Sequence, residues 1–314
     1  MLGRQVARAI LDGREPLLAE DVVAVAAEGD VFIVNLECCI SDRGRPWPDP
    51  AKPFFFRAPP AAAERLAQIG VDCVTLANNH ALDYGEQALL DTLEHLSAAG
   101  IACVGAGPDV ASARAPALLS AGLARLAVVG VADHPAAFAA GPAEPGIAYA
   151  ALREDGIGWI GDTVADARRH ADAVLVTPHW GPNMTAGPAG YIRRAARELL
   201  AAGATLVAGH SAHVVHGIQP RVLYDLGDFI DDYSVDAQLR NDLGFLFLVD
   251  LNPHRPPRLE AVPLALEHCH TRLAHGEDAR WIRRRLIDAC RQLGTEATEQ
   301  QDRVIVAAPA RQRL

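Results

Sequence analysis

The sequence predicts an α/β protein: a core of strands alternating with helices, followed by a second, antiparallel-type sheet packed against it. Three observations carry that expectation. Apolar runs of strand length alternate with amphipathic stretches through residues 31–209. Beyond that, apolar runs follow one another with only short turns between them. Successive early strands also end in Glu, Asn or His, and open α/β sheets bind ligands beyond the carboxyl ends of their strands.

The chain opens MLGRQVARAI, which runs directly into a helical pattern. VFIVNLE (31–37) and VDCVTLA (71–77) read as buried strands. The segment between them, 44–60, is too rich in proline for regular structure throughout. Residues 61–70 read as a helix closed by Gly70. Ala88, Leu89, Leu93 and Leu96 give helical spacing over 85–99. IACVGAG (101–107) and ARLAVVGVAD (124–133) are strands, 159–170 a helix, 171–178 a strand, 191–203 a helix and 204–209 a strand. Then VVHGIQ, RVLYDLGDF, LGFLFLVDL and RLEAVPLAL read as consecutive strands of the second sheet. An amphipathic helix over 277–293 and a strand or extended arm at 304–308 complete the pattern.

The formal net charge of -10 argues against a general nucleic-acid binder, which needs a basic surface to displace counterions. Lys52 is the sole lysine, so Schiff-base chemistry is a poor expectation. The six cysteines form no C-x-x-C pair, and Cys38, Cys73 and Cys103 sit at apolar strand-like runs as small buried hydrophobes. A disulfide scaffold is not expected at this length. No apolar run approaches the ~20 residues of a membrane span, and no leader pattern is visible, so the expected location is the cytoplasm.

The polar strand ends are the informative feature. One strand ends in Asn35 and Glu37, the next in Asn78, Asn79 and His80, another in His179, and another in His210 and His213. Each alone has an ordinary explanation as an edge carboxylate, a turn residue or a packing histidine. Together, imidazole, carboxylate and amide donors on adjacent strand ends suit a divalent ion such as Mn, Fe or Zn. His95, His170, His254, His268, His270 and His275 fall on helix faces or in late loops and read as structural or exposed. His134 and His216 lie nearer the presumed site and receive no role.

At VNLECCIS, FFFRAPP, VDCVTLANNHALDYG, GIACVGAG, VTPHWG, AAGATLVAGHSAHVVHGI and VLYDLGDF the chain resembles the poly-γ-glutamate capsule-synthesis (CapA-type) family of the calcineurin-like metallophosphoesterase superfamily. The resemblance implies a four-layer α/β/β/α sandwich of two mixed sheets flanked by helices. It implies one such domain over residues 1–274, with the helix and arm of 275–314 packed on it. It also implies two divalent metal ions (Mn, Fe, Zn or Mg) about 3.5 Å apart. Carried over, Glu37 is the bridging carboxylate, Asn79, His179 and His210 complete one metal, and His213 faces the other. His80 assists the leaving group, Asp83 orients that imidazole, and Arg57 reaches an anionic substrate.

The sequence departs from the family at Ser211, where a second histidine is usual, and at Asp228, where asparagine is usual. A first strand ending in Gly-Asp, expected just ahead of a Met-Leu-Gly-Arg-like stretch, has no counterpart before Met1. The expectations that follow are one ion bound well, the second weakly, and an unpaired sheet edge where that strand would pair. The implied activity is metal-dependent phosphoester hydrolysis on an anionic small molecule or polymer. The alternatives are γ-glutamyl amide or acyl-phosphate chemistry at the same site, or a non-catalytic subunit working beside a synthetase partner.

Overall fold

Side-chain alternation sorts the strands of this chain into two packed layers. The computed structural model describes residues 1–13, 16–251 and 257–307. In chain order its elements are α1 (Arg4–Asp12), α2 (Glu20–Ala26), β1 (Ile33–Asn35), β2 (Cys39–Ile40), β3 (Arg57–Ala58), α3 (Ala61–Gln68), β4 (Cys73–Thr75), α4 (Gly85–Ala98), β5 (Ala102–Val104), β6 (Ala106–Gly107), α5 (Val110–Arg114), β7 (Ala117–Ala121) and β8 (Ala124–Ala132). They continue with β9 (Gly146–Ile147), α6 (Gly158–Ala167), β10 (Ala173–His179), α7 (Gly190–Ala202), β11 (Leu206–Ala208), β12 (Ile218–Gln219), β13 (Val222–Leu223), β14 (Leu243–Asp250), β15 (Arg258–Glu267), β16 (His270–Leu273), α8 (Gly276–Gln292), β17 (Ala297–Gln300) and β18 (Arg303–Ala307).

A six-stranded sheet runs β12-β13-β11-β10-β8-β7, parallel at its centre and antiparallel at both edges. A parallel sheet has the order β1-β4-β5. An antiparallel sheet has the order β14-β15-β18-β17, with β16 also on β15. Two short pairs, β2–β3 and β6–β9, tie the loops.

Period-two alternation gives each strand two faces. On β10, Val174 and Val176 pack with Ile160 of α6 and Leu199 of α7, while Leu175 points into an inner core. On β4, Cys73 joins that inner core and Val74 packs outward with Val6 of α1, Val22 of α2 and Leu89 of α4. On β14, Phe245 and Leu246 divide the same way. The result is the four-layer sandwich: α6 and α7, the six-stranded sheet, the two smaller sheets side by side, then α1 to α4. Helix α8 sends Ile282, Leu286 and Cys290 into the inner core.

The late strands differ from expectation. VVHGIQ and RVLYDLGDF keep only the strand residues of β12 and β13, and these extend the six-stranded sheet, not the antiparallel one. Side chains capture the backbone that would have lengthened the ladder. The Trp180 indole donates to the Tyr224 carbonyl, and the Asp225 carboxylate accepts the N–H groups of Ala212 and Gly227. The early strands β1 and β4 likewise form their own sheet. The β17–β18 hairpin was not expected, because its turn at Gln301 and Asp302 takes φ 47° and 66° without the Asn-Gly pair that usually marks such turns. His254 and the last residue of 304–308 lie outside the described residues.

Among the described residues β1 pairs only with β4, and β14 only with β15, so each presents an open edge. A cavity of about 1200 Å3 is lined by Ile33 and Val34 of β1, Phe245 and Phe247 of β14, and Leu175 and Leu206 of the six-stranded sheet. Glu37, His210, His213 and Asp228 are also among its lining residues.

Gly209 shows how tightly one strand end is held. A Cβ there would stand 2.3 Å from Trp180 Nε1 and 2.6 Å from the Tyr224 carbonyl oxygen. Gly209→Ala is therefore expected to cost about 1–3 kcal/mol through overpacking, read as a lower urea midpoint. An unchanged midpoint would contradict the close packing described here.

Candidate metal centre

Backbone pairing sets the two innermost histidines side by side. Strand β10 ends at His179, which forms an isolated parallel bridge with His210, two residues past the end of β11. His210 N–H donates to the Pro178 carbonyl and Trp180 N–H to the His210 carbonyl, both at 3.0 Å. The imidazoles then face each other, Nδ1 to Nδ1, at 2.8 Å. Glu37 arrives from the other layer, just past β1, and its Oε1 lies 3.5 Å from His179 Nδ1. Ligand atoms of Glu37, His179 and His210 all lie within 4.8 Å of one another, and all three residues are buried.

Burial fixes the charge states. It pushes His179 well below the ordinary imidazole value, and neighbouring His210 and His134 push the same way. Burial likewise takes His210 down to about 4, against the pull of Glu37. Both rings are therefore neutral near pH 7 and keep a lone pair for a ligand. For Glu37, burial opposes ionisation, but His213, His80 and His210 together outweigh it and lower its value. A carboxylate and two neutral imidazoles form a donor set for a borderline divalent ion. His179 Nε2 and Asn79 Oδ1 are among the buried atoms that have no hydrogen-bond partner among the described residues. Orphaned acceptors of this kind fit a cation.

His80 lies beside Asn79 on the loop after β4. Asn78 fixes that loop: its amide donates to the Leu36 carbonyl at 2.9 Å and to Asn35 Oδ1 at 3.0 Å, while its Oδ1 accepts His80 N–H. Asn35 in turn donates to Glu37 Oε1 at 2.7 Å. The His80 Nδ1–H donates to Asp83 Oδ2 at 2.7 Å. Asp83 is fully buried, and it also accepts the Phe56 N–H and pairs with Lys52.

His213 pairs with Asp228 at 2.8 Å. Its burial opposes protonation, yet the carboxylates of Asp228 and Glu37 win and raise it to about 10. Asp228 Oδ2 and Asp231 Oδ2 are buried without hydrogen-bond partners among the described residues. Ser211 turns its hydroxyl to the Gly181 carbonyl at 2.9 Å, tying the ends of β10 and β11 together. Ser211 and His213 both hold positive φ, 131° and 58°. Such strain persists only where surroundings impose it, and it concentrates at functional sites.

The predicted residues thus divide. Glu37, His179 and His210 converge, and His80 with Asp83 and His213 with Asp228 flank them. Arg57 stays apart: its guanidinium stacks 4.2 Å from the Tyr84 ring centroid and donates to the Arg43 carbonyl. Sequence reading assigned no site role to Lys52, Asn78 or the pair Asp133–His134. The His134 ring lies 4.9 Å from that of His179, its Nδ1–H donates to Asp133, and Asp133 also accepts the Tyr191 hydroxyl at 2.7 Å. The signal for this pair was visible, because Asp133 and His134 directly follow β8. His216 is buried and bonds the Thr185 carbonyl. No disulfide joins the six cysteines, and burial raises the thiols of Cys38 and Cys73 to about 11 and 12, which removes them as nucleophiles at neutral pH.

Residues 1–233 match the family model of the bacterial capsule synthesis protein PGA_cap. The chain belongs to this family. Among PGA_cap-type relatives, a "Probable polyglutamine synthesis accessory protein" of Mycobacterium tuberculosis is 32% identical over 299 residues, covering 90% of this chain and 78% of that one. The "PGA biosynthesis protein CapA" of Bacillus subtilis is 32% identical over 173 residues, covering 53% of this chain and 44% of that one. A solved structure of a hypothetical protein from Thermus thermophilus aligns with a TM-score of 0.43 at 18% identity, over 85% of this chain and 90% of that chain. No helix among the described residues of this PGA_cap chain is long and apolar enough to cross a membrane.

The neutral state of His179 and His210 has a pH signature. Their folded values lie below the unfolded value of 6.5, so below pH 6.5 the unfolded chain takes up protons that the native chain refuses. In metal-free protein, native stability contributed by these rings is complete above 6.5 and falls toward pH 4. His210 alone accounts for a loss on the order of 3 kcal/mol. His210→Gln should flatten this acid limb in urea midpoints measured from pH 7 to 4.5; a limb of unchanged slope would refute the assignment.

Proposed function

We propose that this chain is a metal-dependent hydrolase of the phosphoesterase type acting on an anionic ester. The observation that carries the reading is the convergence of Glu37 with two buried, neutral imidazoles, His179 and His210. Glu37, Asn79, His179 and His210 would hold one ion. Asp228, and His213 once it has given up its proton, would offer donors to a second. A bound divalent ion supplies Lewis acidity and lowers the pKa of water toward neutrality.

The chain's own groups do the rest. Asp83 accepts from His80 Nδ1–H, and a second proton, carried on Nε2 of the imidazolium, is the one given to the departing oxygen. Burial of the group keeps bulk water away and strengthens each charge interaction inside it. Arg57 is half-exposed on Tyr84 and is the candidate to meet a more distant anionic group of the substrate.

A second reading is favoured by the names of the relatives, which speak of polyglutamine synthesis and PGA biosynthesis. In it the same centre acts on a γ-glutamyl amide or an acyl phosphate, or the chain assists a synthetase without catalysing.

The test pairs metal analysis with turnover. Manganese-loaded protein is offered a phosphomonoester, a phosphodiester and a γ-glutamyl peptide. His179→Ala is expected to lose metal, measured by mass spectrometry. His80→Ala should retain metal and lose about 10²- to 10³-fold in kcat on the esters. Turnover of the peptide alone moves the assignment to the second reading. Protein that binds no metal and turns over nothing in a His80-dependent way rules out the hydrolase.

A further inference from the structure

We infer that Lys52, the chain's only lysine, is the positioning residue for His80, an inference that rests on the hydrolase reading above. It comes from the irregular proline-rich segment before β3, yet its side chain is only 12% exposed. The ammonium makes two polar contacts. It pairs with Asp83 Oδ1 at 2.9 Å and donates to the Asn79 carbonyl at 2.7 Å. The rings of Phe138 and Phe55 lie 5.4 and 5.9 Å from it, close enough to favour the cation over their faces.

Those two contacts bracket His80. The Asn79 carbonyl belongs to the peptide bond that enters His80, so holding it fixes the backbone from which the imidazole projects. Asp83 holds the ring itself through Nδ1. The Asp83 side chain has no exposure, and a buried carboxylate with no compensating cation is strongly unfavourable. Lys52 supplies that cation from the side of the carboxylate opposite His80: Oδ1 faces the lysine, and Oδ2 faces the imidazole and the Phe56 N–H. One ammonium therefore fixes both the backbone and the ring of the group that meets the leaving oxygen.

A tether that merely held the proline-rich loop would act on every substrate alike. Positioning of His80 is selective, because only a poor leaving group needs its proton. Lys52→Met is compared with wild type, both loaded with manganese, on phenyl phosphate and 2,4-dinitrophenyl phosphate. The expected result is unchanged metal content, unchanged KM, a loss of about 10- to 100-fold in kcat on the phenyl ester, and a loss under about 3-fold on the dinitrophenyl ester. Equal losses on both esters, or no loss on either, overturn the inference.

Should Lys52→Met fail to fold, wild-type protein acetylated at Lys52 after folding replaces it. A sole lysine makes that product identifiable by mass, and the same two esters decide. Should wild type hydrolyse neither these monoesters nor the matching phosphodiesters, the hydrolase reading fails by itself. The lysine's part is then read from acetylation rates: about tenfold faster labelling in Asp83→Asn keeps the Lys52–Asp83 coupling, and an unchanged rate removes it.

Discussion

Everything at the candidate centre depends on two sheets packing face to face across one inner core, with their parallel strands ending at a common rim. Glu37 follows β1 of one layer, and His179 and His210 end β10 and follow β11 of the other. Backbone pairing joins the two histidines, but no local interaction brings Glu37 to them. They meet because Cys73 and Val104 on one side and Leu126, Leu175 and Leu206 on the other share a single buried cluster, which fixes the distance between layers. Stacked sheets sit about 10 Å apart, and the strand-end side chains close the remaining gap to 4.8 Å or less. The apolar core therefore acts as the ruler for a polar site.

Depth then decides charge. His179 and His210 are buried between the layers, where losing solvent costs more than Glu37 returns, so both stay neutral. His213 lies a few residues further along the same loop and is buried too, but Asp228 is bonded to its ring and it is held protonated. Three buried imidazoles of one centre thus hold two different charge states: burial decides two of them, and a bonded carboxylate overrides it at the third. Asp228 stands where the resembled family usually has asparagine, and an amide could not have supplied that charge. The carboxylate at position 228 thus sets the charge of His213.

The fold, and the candidates Glu37, His179 and His210 that it brings together, were legible in the sequence wherever the signal was local. Unbroken apolar runs identified β8 and β10, and Glu37, His179 and His210 stood out because each follows such a run. What was not legible was pairing. RVLYDLGDF carries an apolar strand-like pattern, yet its partner is β11 and its ladder stops at Leu223 because Trp180 and Asp225 claim the backbone around it. Lys52 was hidden for a different reason. A proline-rich segment has no periodicity from which to infer where a side chain points, and the contact of Lys52 with Asp83 spans the whole of α3 and β4. Arg57, five residues further on, drew notice for its chemistry, and the structure sends it to Tyr84 instead.

Ser211 follows the same logic at the rim. With a histidine in its place, the loop after β11 would offer one more ligand; with serine it offers a hydroxyl bonded to the Gly181 carbonyl. That bond spans from the residues just after β11 to those just after β10. It sits beside a backbone held at φ 131°, a conformation that costs free energy in any residue but glycine. The next N–H, from Ala212, is taken by buried Asp225, whose carboxyl burial raises to about 7. Ser211 and Asp225 thus restrain the loop from both sides, and His213, at φ 58°, is carried on what lies between them. Ser211 and Asp225 together make a clamp, so the geometry of His210 and His213 is set by hydrogen bonds that do not need an ion to form.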